Sequence, residues 1–145
     1  MNGYNDRIIA EFRANEGRVD SAGFGTSLLL LHTTGARSGE PRVTPAMSLR
    51  HGTGWLVVAS AKGAAKDPAW AHNLRAHVKI SIEAHVDGGA ETIEVTATEL
   101  SGTAYDAAFA RFVERAPAFA SYQRKAVRTR RLPVFSLAPT LTSAH

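Results

Sequence analysis

The sequence predicts an α+β fold in which about six strands form an antiparallel barrel with helices packed against it. Three observations carry this reading. Short apolar segments succeed one another through turn-forming residues between positions 28 and 60. Two alternating segments straddle Asp87-Gly88-Gly89, and stretches of helical spacing interrupt the strands in mid-chain and again near the C-terminus.

Asn5 or Asp6 is placed to cap a first helix that carries Ile8, Ile9 and Phe12 on one face and ends near Asn15-Glu16-Gly17. Gly23-Phe24-Gly25 precedes a strand rather than opening a helix, which sets aside a dinucleotide fingerprint. Residues 28–33, 43–49 and 55–60 read as a three-stranded meander, the last two joined by His51-Gly52-Thr53-Gly54. Asp67-Pro68 has the signature of a helix start, with aspartate as N-cap and proline at the first helical position, and the helix runs to about His77. Residues 78–85 and 92–100 alternate as a hairpin with one buried face. Tyr105, Phe109, Phe112 and Val113 then recur at helical spacing, and Pro117 divides their helix from a shorter one through Tyr122. Residues 132–137 form the last expected strand, and 140–145 a frayed tail.

At 145 residues and 44% hydrophobic content, residues 1–145 suit a single domain with a sizeable core. The chain has no cysteine, which excludes disulfides, thiolate metal sites and thiol nucleophiles. The opening MNGYNDRIIAEF lacks a signal peptide's apolar stretch, and no run approaches the roughly 18 apolar residues of a membrane span. A soluble, cytoplasmic protein is expected. Net charge is +4, unevenly spread: residues 80–110 hold six acids and no Lys or Arg, residues 111–145 seven bases and one acid. Such a basic end attracts nucleic acid, an anionic membrane surface or a polyanionic cofactor tail. No aromatic residue interleaves positions 125–132 as base stacking would require, which ranks nucleic acid last. The histidines show no metal-ligand spacing and no GxSxG nucleophile motif is present, so no metal is expected and any chemistry must come from a bound cofactor.

Two segments point to that cofactor. The first, Leu28 onward, reads LLLLHTTGARSGEPRVTPAM, and its loop presents Arg37, Ser38 and Arg42 among glycines and hydroxyl residues. Arginine's planar donor fork and glycine's exposed backbone N–H groups suit phosphate, although a solvated hairpin tip would also be basic. The second, ASAKGAAKDPAWAHNL from Ala59, leads from an apolar strand through small residues into a helix where Trp70 and Asn73 share a face. On its own terms Trp70 could be core packing and Asn73 a surface residue.

Together, TTGARSGEPRVTP and ASAKGAAKDPAWAHNL resemble the deazaflavin (coenzyme F420)-dependent nitroreductase and F420H2-dependent quinone reductase family, strongly over about residues 28–82. The resemblance implies a split β-barrel and a reductase that passes a hydride from reduced F420 to a quinone, nitro or other electron-poor conjugated acceptor. It implies that Arg37, Ser38 and Arg42, with the backbone of Ala36, hold the cofactor's phosphate and glutamate tail, and that Val43, Thr44, Pro45, Ala46 and Met47 lie along its ring. Val58, Ala59, Ser60 and Ala61 match a second ring contact, with Ser60 beside the reacting carbon as the catalytic candidate. Some members carry lysine where this chain has Ala61; here either Lys62 reaches the same phosphate by a different path or that contact is absent. Trp70 would wall the cofactor arm and Asn73 donate to it. Met47, Phe119 and Tyr122 match substrate-pocket positions; Met47, Ala116 and Phe119 stand where several members have tyrosine, which makes the pocket more apolar. FMN, also a planar ring with a phosphate, is the alternative cofactor, and a non-catalytic F420 carrier the alternative function. A lipid-soluble quinone acceptor would add peripheral contact with anionic membrane through Arg124, Lys125, Arg128, Arg130 and Arg131. The oligomeric state is left open.

Overall fold

The computed structural model describes residues 3–21, 24–60, 66–126 and 131–140. Six strands, β1 (Leu28–Thr34), β2 (Pro41–His51), β3 (Gly54–Val58), β4 (Lys79–Val86), β5 (Gly89–Glu99) and β6 (Val134–Pro139), close into a barrel in the order β1-β2-β3-β6-β5-β4. Every neighbouring pair is antiparallel. Four helices surround it: α1 (Gly3–Ala14), α2 (Ala69–Ala76), α3 (Gly102–Arg115) and α4 (Ala118–Ala126). The expected antiparallel barrel with flanking helices is the fold observed.

The leucine run at β1 is uninterrupted because both of its faces are covered. Leu29 and Leu31 point into the barrel with Ile82, Val95 and Phe135, whereas Leu28 and Leu30 pack outward against Ile8 and Phe12 of α1. The same division holds at β3, where Trp55 and Val57 face inward and Leu56 and Val58 meet Tyr105 and Phe112 of α3. Phe12 and Phe112 are completely buried, each contributing about 1.5–3 kcal/mol relative to an exposed side chain. On β4 and β5 the outer face alternates to polar residues, as one-sided burial requires.

Several boundaries differ from the sequence expectation. Helix α1 begins at Gly3, so Asn5 and Asp6 lie inside its first turns rather than capping it. The β4–β5 hairpin turns on Asp87 and Gly88 alone, both with positive φ, and pairing resumes at once with Val86 opposite Gly89. β5 therefore starts three residues before Thr92. Pro68, in extended conformation, occupies the N-cap of α2 and makes no side-chain cap bond. Asp67 does not cap this helix as expected, because its carboxylate is drawn to Arg75 at 2.9 Å. Helix α4 continues four residues past Tyr122, and β6 starts at Val134 rather than Leu132.

Candidate functional site

Two cavities flank the first turns of α2. One, of about 370 Å³, is mainly apolar: Pro45, Ala46 and Met47 of β2 form one side, Val58 and Ser60 at the end of β3 another, and Trp70 and Phe119 close it. The other, of about 500 Å³, lies between α2 and the β1–β2 loop and is bordered by Ala36, Arg37, Ser38, Arg42, His72 and Asn73. Trp70 and Asn73, three residues apart on one helix, thus border different cavities. Trp70 is half-buried against the barrel core, its ring 6.2 Å from that of Phe135.

The basic loop is shaped from within. Gly35 N–H donates to Glu40 O at 2.8 Å, Gly39 N–H to Gly35 O at 2.9 Å, and Glu40 N–H to the Ser38 hydroxyl at 3.1 Å. Gly39 sits at φ +71, a conformation that favours glycine, and a Cβ at Gly35 would force the Ser38 hydroxyl to shift from its bond with Glu40 N–H. Asn73 then ties this turn to α2. Its side-chain oxygen accepts the Ala36 N–H at 2.9 Å, and its amide nitrogen donates to Thr33 Oγ1 at 3.3 Å. The N–H of Ala36, whose backbone is implied as a cofactor contact, is therefore engaged by Asn73.

Charge pairing separates the arginines into two groups. Arg13 binds Glu83 at 2.7 Å and Arg75 binds Asp67 at 2.9 Å and Glu99 at 2.8 Å; Arg131 binds Asp106 at 3.0 Å and lies 3.7 Å above the Tyr105 ring. The Arg75 guanidinium holds the Glu99 carboxyl below its usual range by hydrogen bonding, and Arg13 does the same to Glu83. Arg37 has no ion pair among the described residues, and Arg42 comes no nearer than 4.0 Å to Glu40 with both side chains well exposed. Two guanidiniums beside a backbone turn, without a close carboxylate, form a donor set that suits a phosphate or carboxylate ligand.

Of the other β2 residues, Val43 packs toward α1, and Thr44 pairs with Leu31 in the sheet. Ala59 is fully buried and its N–H donates to Pro133 O at 2.8 Å. Ala61 and Lys62 lie outside the described residues, as do Arg128 and Arg130. Phe119 stands edge-on to both Phe112 and Tyr122, at 5.6 and 5.9 Å, which makes it a wall of the apolar cavity. The Gln123 side-chain oxygen accepts the Leu132 N–H at 2.9 Å, and Tyr105 donates its hydroxyl to Leu132 O at 2.6 Å. These two bonds anchor the chain entering β6 to α3 and α4.

The sequence reading missed Tyr4, Asn5 and Phe24, which also line the apolar cavity. The signal was available for one of them: Tyr4, Ile8 and Phe12 lie four apart and continue one helical stripe.

A closed antiparallel barrel with an apolar slot beside a basic loop defines a small-molecule binding split barrel. The F420H(2)-dependent quinone reductase family model matches residues 6–139, and the chain belongs to that family. An F420H(2)-dependent quinone reductase of Mycobacterium tuberculosis (strain ATCC 25618 / H37Rv) is 40% identical over 74 residues, covering 50% of this chain and 50% of that protein. The match thus spans half the length of the curated relative. A solved F420-H2 dependent reductase (FDR-A) is 33% identical with a TM-score of 0.65, covering 77% of this chain and 93% of that one. A second solved chain, described as a domain-swapped dimer, is 30% identical with a TM-score of 0.67, covering 91% and 96% of the two chains.

Proposed function

We propose that this chain is an oxidoreductase that uses reduced F420 to reduce a quinone or a similar electron-poor conjugated acceptor. The observation that supports it is the pairing of the apolar slot with the basic loop across the first turns of α2. One cavity suits a planar ring and the other an anionic arm. Reduced F420, when bound, supplies the hydride, which together with a proton converts a quinone carbonyl pair toward the hydroquinone.

The chain's own contribution is binding, orientation and exclusion of water. Arg37 and Arg42 hold the anionic arm, while Ser38 completes the turn that presents them. Trp70 stands at the boundary between arm and ring, and the Pro45, Ala46 and Val58 surfaces let a flat ring lie close to the sheet. Ser60, which lines the apolar cavity, would donate its hydroxyl to an acceptor oxygen as negative charge develops there. Phe119, Tyr122 and Met47 form the acceptor's apolar surroundings. A lipid-soluble quinone would enter this slot from a membrane surface, with the exposed Arg124 and Lys125 of α4 facing anionic headgroups.

Equilibrium titration with F420 and with FMN tests the cofactor, and turnover of F420H2 with menadione tests the activity. The expected result is saturable F420 binding, markedly weaker FMN binding, and menadione-dependent loss of deazaflavin absorbance. Preference for FMN, or F420 binding without turnover of any quinone, would overturn the proposal.

A further inference from the structure

We infer that Arg75, in the last turn of α2, is a positioning residue for cofactor binding: it joins Asp67, just ahead of the helix, to Glu99 at the end of β5 and so sets where Pro68 and Trp70 stand. This rests on the F420 reading of the two cavities beside the helix. Helix α2 has eight residues and no side-chain cap, which is too short to hold its own place. Its position comes from tertiary contacts. Ala71 and Leu74 are buried in the barrel core, and Asn73 ties the helix to Thr33 and Ala36 on the β1 side. Arg75 supplies the tether on the β5 side.

The guanidinium binds both acids at once. Its Nε donates to Glu99 Oε1 at 2.8 Å and its Nη2 to Oε2 at 2.9 Å, a bidentate fork, while Nη1 donates to Asp67 Oδ2 at 2.9 Å. Side chains on a helix lean toward its N-terminus, which lets a residue in the last turn reach back past the first. The same guanidinium lies 5.8 Å from the centre of the Phe135 ring, the ring that Trp70 meets at 6.2 Å. Asp67 is thereby held in place beside Pro68, which lines the apolar cavity together with Trp70. Arg75 and Glu99 are 35% and 41% exposed in their side chains, so their pairing adds little to folding stability and its consequence lies in placement. Neither Asp67, Arg75 nor Glu99 borders either cavity, and they act on a ligand through what they hold.

The two acids allow a test in which charge and placement pull in opposite directions. F420 is titrated at fixed ionic strength into the parent, Asp67→Asn and Glu99→Gln, with thermal melts showing that each variant is folded at the titration temperature. Each substitution removes a negative charge, so the protein's field alone would tighten the binding of an anionic ligand. Loss of placement weakens it instead. Asp67→Asn and Glu99→Gln are each expected to raise the F420 Kd about two- to tenfold, and Arg75→Lys, which keeps the charge but not the fork, to do the same. Adding Asp67→Asn to Arg75→Gln should cause no further loss, because the tether is already cut. An F420 Kd unchanged or lowered in either folded acid variant would overturn the role of Arg75 while leaving the cofactor reading intact. No saturable F420 binding by the parent would overturn both.

Discussion

The Asn73 side-chain oxygen accepts the backbone N–H of Ala36 at 2.9 Å, which fastens α2 to the loop that presents Arg37 and Arg42. The same side chain is 7% exposed and donates to Thr33 Oγ1 at 3.3 Å, at the end of β1 where that loop begins. One buried amide thus fixes where the loop leaves the sheet and how it lies against the helix. Whatever binds between Arg37 and His72 depends on that bracing.

Asn73→Ala removes both hydrogen bonds and leaves a polar group at the end of β1 without its partner. A loss of about 1–3 kcal/mol of folding stability is expected, measured by urea denaturation. Asn73→Asp keeps the acceptor for Ala36 but loses the donor to Thr33, so it should fall between the two. F420 affinity should decline in the same order, although no Asn73 contact with the ligand is required for this. A full loss of affinity in Asn73→Asp with unchanged stability would instead make the residue a direct ligand contact.

Replacing Arg37 and Arg42 by alanine should weaken F420 binding by about tenfold or more per residue while leaving the melting temperature nearly unchanged. Neither guanidinium holds a close carboxylate, so little folding energy is lost with them. The salt dependence of F420 binding should flatten in the double variant. Affinity equal to that of the parent at low salt would return the loop to a solvated hairpin tip.

Much of this architecture was legible because it follows from short-range pattern. Leu28 to Leu31, buried on both faces, and the alternation about Asp87-Gly88 state their pairing in local sequence. The long-range choices were not legible. Asp67 has the residue type and position of an N-cap, but Arg75, itself held by Glu99 from β5, claims its carboxylate. Asn73 reads as a donor facing outward until the fold brings Thr33 and Ala36 beside it. Tyr4 was overlooked because a stripe of Ile8 and Phe12 is complete as core packing. Only the barrel and α4 reveal the cavity beside the first turn of α1.

Glu83 joins α1 to the barrel and makes that junction pH-dependent. Hydrogen bonding to Arg13, opposed by partial burial and assisted by His32 at 2.5 Å, holds its folded-state pKa below the usual 4.5. A depressed carboxylate pKa contributes stability above its unfolded value, and that contribution is lost as pH falls through the folded value. Glu83→Gln should therefore be less stable than the parent near neutrality. The gap should close as pH falls below about 4.5 and vanish beneath the folded pKa, as followed by thermal melts across pH. A gap that is constant from neutral to acid pH would show that the Glu83 charge contributes nothing.

The basic end of the chain gives the last prediction. Helix α4 carries Phe119 and Tyr122 at the apolar cavity and the exposed Arg124 and Lys125 in its last turn. Arg131, grouped with them in the sequence, is instead committed to Asp106 and the Tyr105 ring, so it adds little to any surface interaction. A lipid-soluble acceptor would be collected where apolar mouth and basic rim meet an anionic surface, at about 1 kcal/mol for each basic residue near the headgroups. Co-sedimentation with anionic but not neutral vesicles is expected, weakening as salt rises. Neutralising Arg124 and Lys125 as glutamines should reduce binding to anionic vesicles by about tenfold or more, whereas Arg131→Gln should change it little. Turnover with menadione, which does not need a bilayer, should survive the Arg124 and Lys125 substitutions. Equal vesicle binding by that variant and the parent would leave α4 as a wall of the cavity with no part in docking.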